Sequence, residues 1–113
     1  MKKRDSLRYC FLFAGMLLLL GACSERGGEP GVAEGERLFR DPALAGSANS
    51  MSCEACHPGG EGLRRAIDNP RLLSVINACI SGPLEGKPLA EDSMELLSLK
   101  LYVESIGAVE QGE

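Results

Sequence analysis

Apolar positions divide the chain into one unbroken run and three periodic stretches. The run, FLFAGMLLLLG from Phe11 to Gly21, contains no charge. The first periodic stretch, VAEGERLF from Val32 to Phe39, is short and ends on Leu38 and Phe39. In the second, Leu72, Leu73, Ile76, Cys79 and Ile80 recur on one helical face. It predicts a helix from Pro70 to about Ile80, with proline at the first helical position after an Asp68 or Asn69 cap. The third predicts a helix from Ser93 to Ile106, capped by Asp92 or Ser93 and stopped by Gly107. Leu96, Leu99, Val103 and Ile106 form its stripe, widened by Leu97 and Leu101. Between the last two lies GPLEGKPLAED, Gly82 to Asp92, whose glycines and prolines predict an ordered loop without regular structure. No stretch alternates as a strand does, so the pattern predicts an all-α domain.

The unbroken run follows Lys2, Lys3, Arg4 and Arg8 and ends on Leu20-Gly21-Ala22-Cys23. A basic start, a short apolar run and a small-residue exit form a bacterial secretion signal, and the run is too short to favour a stable spanning helix. LGAC also resembles the lipobox of bacterial lipoproteins. That resemblance implies cleavage after residue 22 and a lipid on the Cys23 sulfur. It anchors the chain in the cell envelope, facing the periplasm or the exterior. Residues 23–31, rich in Gly, Pro and charge, then read as a lipidated flexible tether, and residues 32–113 as one domain.

Removing residues 1–22 takes four basic and one acidic residue from totals of 12 and 16, leaving 8 against 15, a formal −7. Such a balance argues against nucleic acid, whose binding rests on neutralising phosphates. It suits redox protein partners with a basic docking face. The core is the difficulty. Beyond the signal only Phe39 and Tyr102 are aromatic, and a domain this small sits near the limit of independent stability. A large apolar cofactor would supply what the side chains lack.

The chemistry is concentrated in Cys53-Glu-Ala-Cys56-His57, which contains the only histidine of the chain. Zinc requires four ligands, and adjacent Cys56 and His57 are awkward corners of one tetrahedron. A thioredoxin-like pair requires a βαβ context that the pattern does not offer. Covalent c-type haem fits: two thiols add to the two vinyl groups, and the next residue's imidazole coordinates iron from the proximal side. The export signal agrees with it.

At these residues the chain resembles the monohaem class I cytochrome c family. Gly35-Glu-Arg-Leu-Phe39 looks like the first-helix pattern of that family, Cys53 to His57 like its attachment site, and Leu99 to Ile106, around Tyr102, like its last helix. The resemblance implies a small cytochrome c fold, three to four helices around one covalent haem c. It also implies that the last helix crosses the first where the glycine permits close approach. The second half, Asn77-Ala-Cys79 with Gly86-Lys-Pro-Leu89 and Asp92-Ser-Met-Glu-Leu96, resembles thiosulfate-handling cytochromes: the haem subunit of the Sox complex and the dihaem thiosulfate dehydrogenases. There a cysteine after an Arg-Ile-Asn segment binds iron. Here Val75 stands where the arginine would fall, with Arg71 one turn earlier.

These readings leave the distal side of the iron with several candidates. Cys79 is a candidate ligand by that resemblance, or a small buried hydrophobe. Met94 is the alternative, although it falls at the start of the last helix; an open site is the third possibility. Arg64, Arg65 and Lys87 are candidates to meet haem propionates or to be ordinary solvated charge. Pro58 offers a carbonyl that could hold the imidazole tautomer. The expected function is a membrane-tethered carrier of single electrons rather than a catalyst on its own. The alternatives are a haem enzyme or subunit in thiosulfate and sulfur-compound oxidation using Cys79, and a haem sensor of small gases.

Overall fold

The computed structural model describes residues 28–111. The signal segment, Cys23 and the tether through residue 27 lie outside the described residues. Four helices follow: α1 (Val32–Phe39), α2 (Cys53–Cys56), α3 (Leu72–Ser81) and α4 (Met94–Gln111), with 3₁₀ turns at Leu44–Gly46 and Pro58–Gly60. No strand occurs among the described residues, so the architecture is all-α. None of the described helices is long and apolar enough to cross a membrane.

The fold is organised on α4. Its N-terminus is capped by Ser93, whose hydroxyl accepts the Leu96 N–H at 3.2 Å. One face buries Leu96, Leu99, Tyr102 and Val103 against Leu38 and Phe39 of α1 and Leu72, Ile76 and Ile80 of α3, with Leu44 and Leu84 completing the core. The Phe39 and Tyr102 rings meet edge to face, with centroids 5.2 Å apart. Leu101, expected to widen the stripe, is exposed, and Leu97 is half-buried.

The crossing of α1 and α4 depends on Gly35. A Cβ there would stand 2.0 Å from the Ser98 carbonyl oxygen and 2.7 Å from Tyr102 Cβ. Only hydrogen fits in that space. The same Ser98 is fully buried, and its hydroxyl accepts the Gly31 N–H at 3.1 Å. It thereby holds the N–H of Gly31, the N-cap residue of α1, which has no side chain of its own to cap the helix. The exposed face of α1 carries Glu34–Arg37 and Glu36–Arg40 ion pairs at 2.6 and 2.9 Å. Pairs so exposed contribute little to stability.

Two boundaries differ from the pattern. α3 begins at Leu72 rather than Pro70, because residues 70–71 form a turn. The Asn69 side-chain oxygen accepts the Arg71 N–H at 2.9 Å and holds that turn. The more informative difference is Gly107, which does not end α4. It is buried inside the helix, and a Cβ on it would stand 2.9 Å from Ile67 Cγ1. It serves close packing, and α4 continues to Gln111.

The Gly82–Asp92 loop is ordered by bonds to the rest of the fold. The Asn77 side chain donates to the Leu89 carbonyl and accepts its N–H, both at 2.8 Å. Ser47 donates to the Leu84 carbonyl at 2.7 Å, Asn49 donates to that of Pro83, and the Lys87 N–H reaches Ala45 O at 2.9 Å. The segment before α2 and the loop after α3 are thus tied together.

Candidate functional site

Helix α2 is a single turn. Ser52 enters it extended, and the His57 N–H closes it on the Cys53 carbonyl at 2.9 Å. His57 then leaves helical geometry (φ −125°, ψ 64°), and Pro58–Gly60 turns the chain back. That reversal brings the Glu61 carbonyl oxygen to 2.9 Å from His57 Nδ1. A carbonyl only accepts, so Nδ1 carries the proton and the Nε2 lone pair is left available to a metal. The carbonyl that holds the tautomer is therefore that of Glu61 and not that of Pro58, which accepts the Glu61 N–H instead.

Cys53, Cys56 and His57 line one cavity of about 370 Å³, within the range of small-molecule and cofactor sites. Cys79 lines it too, from the last turn of α3. Phe39, Leu63, Ala66, Leu72, Val75 and Ile76 are among the apolar side chains around it, and among the described residues Arg65 is its one charged lining residue. Cys56 and Val75 are exposed, so the cavity opens to solvent beside one of the two sulfurs.

Burial pushes the Cys53 thiol up to about 11, with Cys79 the next contributor. Burial also raises the Cys79 thiol, aided by Cys56. The three sulfurs are thus within electrostatic reach of one another, and none is in a disulfide. Such an arrangement can hold a flat apolar group by two thioether links and one imidazole nitrogen, with a third sulfur facing the same space. Among the described residues no three His, Cys, Asp or Glu side chains converge as a metal-ion cage, so the four-ligand zinc alternative gains no support.

Other expected residues go elsewhere. Met94 begins α4 and lines a separate groove with Glu34, Arg37 and Leu38; it is not among the residues around the cysteine cavity. Arg71 borders a third groove, with Asp68 and Glu104, and does not substitute at the cavity for the arginine absent at Val75. Sequence patterning gave no sign of Glu61, which acts through its backbone, or of Leu63 and Ala66, which lie in a segment without periodicity.

No protein-family model, curated protein or solved structure matches this chain.

Proposed function

We propose that the chain carries one covalent haem c and works as a membrane-tethered carrier of single electrons. The carrying observation is the His57–Glu61 bond: it directs an unprotonated nitrogen from the residue that follows two thiols lining the same apolar cavity. Cys53 and Cys56 would hold the porphyrin as thioethers, and His57 Nε2 would bind the iron. When bound, haem supplies a one-electron iron couple. The polypeptide does the rest. Phe39, Leu72, Ile76 and Leu99 exclude water, and Glu61 fixes the imidazole. The opening beside Cys56 and Val75 is where an electron would pass between the bound group and a docked partner. Cys23 lipid and the tether would keep the domain concentrated near membrane-bound partners.

Cys79 shares the cavity with His57, and this favours it over Met94 as the distal ligand. A reading as an enzyme of sulfur-compound oxidation would use the same thiol. It lacks the expected arginine, and one haem offers no second centre to take electrons away. Turnover with thiosulfate and an artificial acceptor tests it directly, and rapid carbon monoxide binding to the reduced protein would favour the gas sensor.

The test is expression of the full chain with its signal in a host that matures c-type cytochromes. The expected product is red and lipidated, with the mass of one haem added and Cys53 and Cys56 closed to alkylation. Colourless exported protein with both thiols reactive overturns the proposal.

A further inference from the structure

Glu54 stands between the two cysteines, on the single turn of α2, where sequence reading assigned it no role. Its Oε1 accepts the Gly59 N–H at 3.1 Å, reaching forward five residues across the chain reversal. Its second oxygen, Oε2, is buried and has no hydrogen-bond partner among the described residues. Burying a carboxylate oxygen without a partner is unfavourable, and a small apolar side chain would avoid that cost. Something must offset it.

The bonding around the reversal shows what the carboxylate does. The N–H groups of Gly60 and Glu61 are taken by the carbonyls of His57 and Pro58 at 2.9 and 3.2 Å. The Gly59 N–H is taken by Glu54. Gly59 has φ +63°, so the turn departs from helical geometry at that residue and its own ladder does not fix it. Glu54 fixes it from outside. Two residues further on is the Glu61 carbonyl that accepts the His57 Nδ1 proton. A continuous path therefore runs from the Glu54 carboxylate, through the Gly59 amide and the Pro58–Gly60 turn, to the imidazole.

We infer that Glu54 is a positioning residue for His57: by holding the Gly59 amide it sets the turn that aims the Glu61 carbonyl at Nδ1. The inference deepens the haem reading and rests on it only for what Nε2 binds. The hydrogen-bond path itself belongs to the polypeptide.

The test exploits the single histidine. Full-length exported protein, labelled with ¹⁵N-histidine and ¹⁵N-glycine, is studied in its reduced state, and solvent exchange of the His57 Nδ1–H and the Gly59 amide is compared with E54A and E54Q. E54A should speed both exchanges roughly tenfold, the consequence of losing a hydrogen bond to a charged group. E54Q keeps an acceptor oxygen and should stay near the parent. An Nδ1–H rate in E54A within about threefold of the parent overturns the inference, as does equal acceleration in both variants. Should E54A not fold, E54D is read in its place, because it withdraws the acceptor by one methylene. If the protein proves to carry no haem, the function proposed above fails, while the same imidazole signal still decides the role of Glu54.

Discussion

The sulfur atoms of the cavity differ in what burial does to them. Cys53 has its thiol pushed up to about 11 from an ordinary 9.0. In haem-free folded protein at pH 8, about one Cys53 in a thousand is then thiolate, and alkylation should be slow and rise with pH toward 11. The sign is that of a raised acid: the contribution to stability is complete below pH 9 and is lost as pH rises through about 11. A thioether does not titrate, so mature protein should show neither effect. Alkylation followed by peptide mass mapping across pH 7–11 checks both. In the proposed haem protein, with Cys79 on the iron, its substitution by alanine should change the ferric spectrum and raise the reduction potential, because thiolate favours ferric iron. An unchanged spectrum and potential would remove the thiol from the iron. Cys53, Cys56 and His57 stand out in the sequence by identity and spacing, and Cys79 only through a resemblance; the structure adds that all four line one cavity. Glu61 was not legible, because a backbone carbonyl has no signature in the sequence until a turn aims it.

At the level of elements, local rules served where local forces decide. α1 has the predicted bounds, Val32–Phe39, since its apolar face is complete within eight residues. α4 overran Gly107 because the packing of Ile67 against that glycine is a contact forty residues distant in sequence, and no window of neighbouring residues contains it. α2 was invisible as a helix: four residues cannot display a period. Two substitutions probe the packed elements. Gly35→Ala sets a methyl against Ser98 backbone and should cost about 3 kcal/mol or more, read as a lowered midpoint of chemical unfolding. Asn77→Ala removes both bonds to Leu89 and should cost roughly 2 kcal/mol. Its further effect should be faster amide exchange at Leu89 than at core positions of α4.

The molecule as a whole is small and acidic, and among the described residues the core is built largely of aliphatic side chains around a single aromatic pair. Arg37, Arg40 and Lys100 are each engaged by acidic neighbours, so much of the positive charge on α1 and α4 is already neutralised locally. For the proposed carrier, electron exchange with a basic partner should slow steeply between low salt and about 0.15 M, where the Debye length falls to about 8 Å. Stopped-flow rates over an ionic-strength series test this, and a flat series would argue for a neutral partner. The attachment of α1 to α4 has a mechanical meaning in the proposed anchored form. Ser98 grips the backbone at Gly31, where the tether enters the fold, so tension from the bilayer is delivered to the seam between these two helices. Phe39, Leu99 and Val103 belong to that seam and also wall the cavity, so in the proposed form a pull on the tether would reach the cofactor pocket through two packed helices and not through a loop.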